Sequence, residues 1–173
     1  KPFYIKHRDY YLYVSRLVPY KKADLVVNTF RKLNKPLVVV GEGTERKKLE
    51  KLAGRKTAFV GVVSDEKLIQ YYRHATATIF PQREDFGIVP VESQACGTPV
   101  IAFGKGGATE TVVDGETGIF FRDQSEDSLI SALEKLKTLK INPQDCIKNA
   151  QKFSEQNFLR QFKLHFDKAY KLR

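Results

Sequence analysis

Short runs of residues that are apolar on both faces alternate along this chain with stretches whose apolar residues recur every three or four positions, and few folds accept that pattern. Tyr10-Tyr11-Leu12-Tyr13-Val14 has no polar face and reads as a buried strand. Ala23, Val26, Val27, Phe30 and Leu33 follow at helical spacing. Leu37–Val40, Thr57–Val60, Ala75–Phe80 and Val100–Ala102 repeat the first pattern, and Gly115–Phe121 reads as a last hairpin or strand. Helices are expected from a Thr44 cap through Leu52, from a Ser64 cap across Leu68, Ile69 and Tyr72, and from near Gly87 across Val91 and Ala95. A capping-box-like Asp123-x-x-Glu126 opens another, through Leu136. Strands buried on both faces must be covered on both sides. The predicted fold is therefore α/β, a Rossmann-like doubly wound parallel sheet with helices on both faces. The 173 residues suit one domain, 1–173, with a helical tail at about 154–173 in which Phe158, Phe162 and Phe166 recur every four positions.

Charge narrows what such a sheet binds. Lys and Arg number 30 against 20 Asp and Glu, and the net charge of +10 favours nucleic acid, anionic lipid or phosphorylated small molecules. Basic residues gather at Lys21-Lys22, Arg46-Lys47-Lys48 and from Arg160 to Arg173, each of which also suits a solvated helix face. No apolar run approaches the roughly 20 residues that span a bilayer, and the start, Lys1-Pro2-Phe3-Tyr4, has no apolar signal core. Cys96 and Cys146 make neither a disulfide framework nor a metal cluster, and His7, His74 and His165 show no metal spacing. A reduced, cytoplasmic setting is expected. The chain contains no Met, not even at its start, which points to a piece of a longer protein.

In a doubly wound sheet ligands bind where the strands end, so the turns after the strands are the places to search. After the first strand, Arg16-Leu17-Val18-Pro19-Tyr20-Lys21 puts a guanidinium, an ammonium and helix N-terminal amides together. All three favour a phosphate, although a solvated basic loop accounts for the pair equally well. After the second, Gly41-Glu42-Gly43 lets backbone approach a ligand closely. Alone it is better read as a tight turn, because the third glycine of the dinucleotide fingerprint and a Walker-type glycine loop are both absent. After the fourth, Glu84-Asp85-Phe86-Gly87-Ile88-Val89-Pro90-Val91-Glu92 carries a glutamate in the loop and another in the following helix. With a helix start near Gly87, both can face one cleft. Ionised carboxylates are strong acceptors for sugar hydroxyls, and Gly87 permits close approach. Without other motifs, two exposed glutamates around a helix start explain the same residues.

Taken together these residues resemble the retaining glycosyltransferase family 4. Glu84-x7-Glu92 continued by Ser93-Gln94-Ala95-Cys96-Gly97-Thr98-Pro99-Val100-Ile101-Ala102 is similar to that family's signature. So are Gly106-Gly107-x-x-Glu110, Asp114-Gly115-Glu116-Thr117-Gly118, the opening Ser15-Arg16-Leu17-x-Pro19-x-Lys21, and Gly41-x-Gly43. The similarity runs in order from about Tyr10 to Phe121, and Ser15 and Lys22 stand where glycine is frequent in the family. The resemblance implies the carboxy-terminal half of a GT-B enzyme, with the acceptor-binding amino-terminal domain absent and the isolated chain inactive. It implies that Arg16 and Lys21, with Ser15 beside them, bind the donor diphosphate. Glu84 and the backbone of Phe86, Gly87 and Ile88 would hold the donor sugar, and Glu92 the ribose. Gly41, Gly43, Gly61 and Val63 would line the nucleotide, the last two bordering the base. The wording Glu84-Asp85-Phe86-Gly87 most resembles mannosyltransferases of polysaccharide assembly, hence GDP-mannose as donor and a glycan or lipid-linked acceptor bound through the other domain.

Transfer from a nucleotide sugar needs a stabilised diphosphate leaving group. A metal can do this, but the chain has no Asp-x-Asp, so Arg16, Lys21 and helix-end amides are expected to serve and no metal or other cofactor is expected. The alternative is a basic nucleic-acid-binding module or another nucleotide-binding module without transferase activity. No recognition motif supports nucleic acid as a partner, and the aromatics follow core periodicity instead of interleaving with basic residues. A peripheral membrane contact through the basic tail is compatible with a lipid-linked acceptor and would put the protein at the inner face of the membrane. Packing of the Phe158–Phe166 stripe on the other domain is the preferred reading.

Overall fold

A computed structural model describes residues 9–170; His7 and the last three residues of the basic tail lie outside the described residues. Six strands form one parallel sheet: β1 (Tyr10–Val14), β2 (Leu37–Val40), β3 (Thr57–Gly61), β4 (Ala75–Phe80), β5 (Val100–Phe103) and β6 (Gly118–Phe121), in the spatial order β3-β2-β1-β4-β5-β6. Helices α1 (Ala23–Leu33), α2 (Arg46–Leu52), α3 (Asp65–His74), α4 (Ile88–Ala95), α5 (Ala108–Thr111), α6 (Glu126–Thr138), α7 (Pro143–Gln151) and α8 (Glu155–Tyr170) follow in chain order. The sheet is doubly wound, as the alternation of apolar strands and amphipathic helices predicts.

Alternate residues of β1 face opposite sides, and each side has its own cover. Tyr11 and Tyr13 pack with Val26, Val27 and Phe30 of α1 and Leu129, Leu133 and Leu136 of α6. Tyr10 and Leu12 pack with Tyr72 of α3. Beyond them, Phe80, Val100 and Ala102 meet Ala108 of α5 and Val112. Burial of side chains this size is worth about 1.5–3 kcal/mol each, and cover on both faces is why the strands are apolar throughout. The last segment, open between hairpin and strand in the sequence, is a strand parallel to β5.

The chain winds outward from β1 to β3, then returns to β4 on the other side of β1. The loops after β1 and β4 therefore flank the point where the winding direction reverses, which is where open α/β sheets leave a crevice for ligands.

Several helix ends differ from expectation. Thr44 does not cap α2, whose N-cap is Glu45 with no side-chain cap; the backbone N–H of Glu45 is drawn off to the carbonyl of Leu17 at 2.9 Å. Ser64 does sit at the N-cap of α3 but makes no capping bond to its backbone; its hydroxyl serves the Glu66 carboxylate and lowers the pKa of that exposed group. For α6 the cap is Ser125, which accepts from the N–H of Ser128 at 3.3 Å, so Asp123 lies outside the helix. Helix α7 has no counterpart in the sequence reading. Asn142 caps it, accepting from the N–H of Gln144 at 3.0 Å, and Pro143 opens its first turn. The aromatic stripe of α8 is exposed, its rings stacked on one another and not on the core. Among the described residues no helix is long and apolar enough to cross a membrane.

Candidate functional site

The loop after β1 is fixed by its neighbour. Ser15 N–H donates to the Val40 carbonyl at 3.1 Å and Leu17 N–H to that of Glu42 at 2.9 Å, so pairing continues past the strand ends. This closeness explains the first two glycines. A Cβ on Gly41 would lie 1.9 Å from the Ser15 carbonyl oxygen, and one on Gly43 2.2 Å from that of Leu17. The sequence had these glycines meeting a ligand; what they chiefly meet is the chain's own first loop. Gly61, at φ +74, likewise offers its carbonyl to Gly41 N–H at 2.8 Å. The outcome is a rigid base under Arg16, which is exposed and forms no ion pair among the described residues.

The loop after β4 is held from the other side. Gly107 N–H donates to the Glu84 carbonyl at 2.8 Å. A Cβ on Gly106 would lie 2.4 Å from that carbonyl oxygen and one on Gly107 2.4 Å from that of Asp85. The Glu84 carboxylate accepts a charged hydrogen bond from Lys21 Nζ across the crevice, with both side chains largely buried. Lys21 also lies 4.8 Å from the centre of the Tyr20 ring, and its carbonyl accepts from the Tyr13 hydroxyl at 2.9 Å. Gly87, at φ +84, forms the N-cap of α4, which no side chain caps.

These loops enclose a cleft of about 470 Å³ walled by Ser15, Arg16, Lys21, Glu84, Phe86, Gly87 and Ile88 among others. Two further hollows lie beside it. Ser15 and Arg16 also border a space of about 380 Å³ with Gly41 and Val63. Leu68 connects that space to a third, of about 390 Å³, walled by Tyr72, Arg73, Glu92 and Cys96. Neither Gly43 nor Gly61 lines any of the three, so both act through the backbone.

The expectation that Glu84 and Glu92 face one cleft is corrected by this division. Glu92 lies a turn into α4, where its Oε2 accepts from the Tyr72 hydroxyl at 2.8 Å and lines the third hollow. Burial, and then the Glu92 carboxylate, push the Tyr72 phenol well above the usual tyrosine range, so it stays a donor. Burial pushes the Cys96 thiol up as well, in keeping with a packing role. His74 spends its Nδ1 on the carbonyl of Gln70 at 2.8 Å. Among the described residues no group of three or more His, Cys, Asp or Glu side chains could hold a metal ion.

Residues 4–153 match the model of the family described as glycosyl transferases group 1. The chain belongs to that family. It is 38% identical over 133 residues to a D-inositol 3-phosphate glycosyltransferase of Acidothermus cellulolyticus, covering 62% of this chain and 29% of the relative. It is 31% identical over 141 residues to a GDP-mannose-dependent alpha-(1-6)-phosphatidylinositol monomannoside mannosyltransferase of Mycolicibacterium smegmatis, covering 71% of this chain and 37% of that one. Its fold superimposes on sucrose-phosphate synthase from Thermosynechococcus elongatus with a TM-score of 0.83 at 27% identity, over 95% of this chain and 46% of that one. The group 1 chain thus spans about a third of the curated relatives and under half of that solved chain.

Within this group 1 domain, sequence reasoning missed Gln82. It is 2% exposed, lies on the wall of the Glu84 cleft, and its Oε1 has no hydrogen-bond partner. Nothing in a Pro-Gln-Arg stretch after a strand distinguishes it from an ordinary loop residue.

Proposed function

We propose that the chain is the donor-binding half of a retaining glycosyltransferase of GT-B architecture, which transfers mannose from GDP-mannose to a glycan or lipid-linked acceptor. The observation that carries the reading is the meeting of Arg16, Lys21 and Glu84 around one cleft at the reversal of the sheet. The cleft and the two hollows that share walls with it offer places for the parts of a nucleotide sugar. The sugar lies against Glu84 and the backbone of Phe86, Gly87 and Ile88. The diphosphate lies over Arg16 and Ser15, within reach of Lys21 and the uncapped start of α4. The base lies against Gly41 and Val63, and the ribose turns towards Glu92.

Charge develops on the diphosphate as the sugar leaves. Arg16, having no carboxylate partner among the described residues, offers it a full positive charge, and Lys21 adds a second once the ligand competes with Glu84. Glu84 orients the sugar by accepting from its hydroxyls. No metal is assigned a part. Mannose is favoured by the Glu84-Asp85-Phe86-Gly87 wording and by the GDP-mannose dependence in the name of one relative. A second domain, outside these residues, would supply the acceptor site, and the fraction of each relative that the chain spans supports this.

Calorimetric titration of the chain with GDP, UDP, ADP and GDP-mannose, without added metal, tests the reading. Selective binding of GDP and GDP-mannose is expected, lost in an Arg16→Ala/Lys21→Ala double variant. Steeply salt-dependent binding of single- or double-stranded nucleic acid in place of any of these nucleotides would overturn it.

A further inference from the structure

Among the described residues, three buried side-chain oxygens lack a hydrogen-bond partner: those of Asn28, Thr57 and Gln82. Of these residues only Gln82 stands on the wall of the Glu84 cleft. A buried amide without a partner is a cost that native proteins rarely carry unless something completes it. Here the backbone on either side of that residue is held in place. Gln124 Nε2 donates to the Pro81 carbonyl at 2.8 Å, fixing the backbone before Gln82, and Gly107 N–H holds the Glu84 carbonyl just after it. The backbone is thus held on both flanks of Gln82, whose side chain lies in the wall, 2% exposed, with its Oε1 unpaired.

We propose that Gln82 reads one hydroxyl of the sugar of a nucleoside diphosphate hexose, and that it sets which sugar the cleft accepts. The chemistry follows from the group. Lys21 already engages Glu84, so the carboxylate reaches a sugar with part of its accepting capacity spent. Gln82 Oε1 is neutral and has no donor among the described residues. A sugar hydroxyl is a donor, which is what that oxygen lacks. Phe80 and Phe86, on the same wall, give apolar surface to the C–H bonds of the ring. A sugar lacking that hydroxyl, or presenting it in the other configuration, leaves that oxygen buried and unpaired. Discrimination of this kind exceeds what shape alone gives.

This inference rests on the donor-binding reading, and its test separates the two. The quantity to measure is the sugar increment: the affinity of the chain for GDP-mannose divided by its affinity for GDP, or the same ratio for whichever nucleotide binds. In Gln82→Leu the increment is expected to fall about tenfold or more, the worth of a hydrogen bond to a buried group. The affinity for the bare diphosphate should change less than about twofold. Because leucine removes an unpaired polar group from the interior, the melting temperature should not fall. Should the variant not fold, mono-deoxy analogues of the sugar nucleotide on the unchanged chain give the same answer: removal of one particular hydroxyl should lose the increment. An increment preserved in Gln82→Leu, or insensitive to every deoxygenation, overturns the role of Gln82 while leaving the donor reading intact. Failure of any nucleotide to bind overturns both.

Discussion

At the scale of single residues, the pairing of Lys21 with Glu84 decides how the cleft presents its charge. The two neutralise each other across the crevice, so the unpaired charge facing an incoming diphosphate is that of Arg16. Glu84→Gln should release Lys21. The affinity for a bare nucleoside diphosphate is then expected to rise, by about 1 kcal/mol at most for a pair that is not fully buried, while the nucleotide sugar gains less over the bare diphosphate. Arg16→Ala should instead weaken both by about 1.5–3 kcal/mol, the scale of a charged hydrogen bond. Calorimetry distinguishes these patterns, and parallel losses in both variants would remove Glu84 from the sugar. A second residue carries a cost unrelated to ligands. Lys22 joins the turn after β1 to α1 in the left-handed region, at φ 57° and ψ 32°. That conformation costs an L-residue about 1–2 kcal/mol, and glycine there gives back about 0.5–1 kcal/mol in chain entropy. Lys22→Gly is therefore expected to stabilise by up to about 1 kcal/mol, read as a higher urea midpoint at unchanged slope.

At the scale of elements, the site is held together by contacts that no local pattern announces. Helix α7 was invisible in the sequence because its buried face is Cys146, Asn149 and Ala150, small or polar residues that make no apolar stripe. It docks instead through amides: Asn149 Nδ2 donates to Gln94 Oε1 at 2.7 Å and to the Thr111 carbonyl at 2.9 Å, joining α7 to α4 and α5. Asn149→Leu should leave Gln94 Oε1 buried without a donor and cost about 1–3 kcal/mol, measured by urea unfolding. The strands were legible because Tyr10–Val14 and Leu37–Val40 carry their burial in their composition. The Lys21–Glu84 pair was not, since residues 63 positions apart meet only once β4 is known to lie beside β1. Glycines were legible as close approaches but not as approaches to what. Gly41 and Gly107 look alike whether a phosphate or the chain's own carbonyl lies opposite, and here carbonyls do. Gly107→Ala would drive a methyl to 2.4 Å from the backbone of Asp85 and Phe86. A displaced Glu84 loop and a loss of about 1–3 kcal/mol are expected, seen as lower stability together with weaker sugar binding.

At the scale of the whole molecule, one element, α8, buries none of its residues against the domain that carries it. Along α8 the rings of Phe158, Phe162, Phe166 and Tyr170 stack at centroid separations of 6.0, 6.4 and 6.1 Å, yet they stay 64%, 59%, 59% and 71% exposed. Soluble domains seldom leave so continuous an apolar strip uncovered. The reading as half of a two-domain enzyme gives it a purpose, because covering each ring is worth about 1.5–3 kcal/mol to an assembly and nothing to the chain alone. The consequence is separable by experiment. Phenylalanine and serine have similar helix propensities, so Phe158→Ser/Phe162→Ser/Phe166→Ser should leave the helix formed. The stability of this chain should then fall only by what the stacked ring pairs along the helix contribute, about 0.2–0.5 kcal/mol for each pair. In a longer protein carrying both halves, the same triple variant should instead lower the melting temperature and weaken donor-linked turnover without changing nucleotide affinity. If the chain alone loses more than about 2 kcal/mol, beyond what those ring pairs contribute, the stripe folds back onto its own domain, and α8 belongs to the donor-binding core rather than to the join.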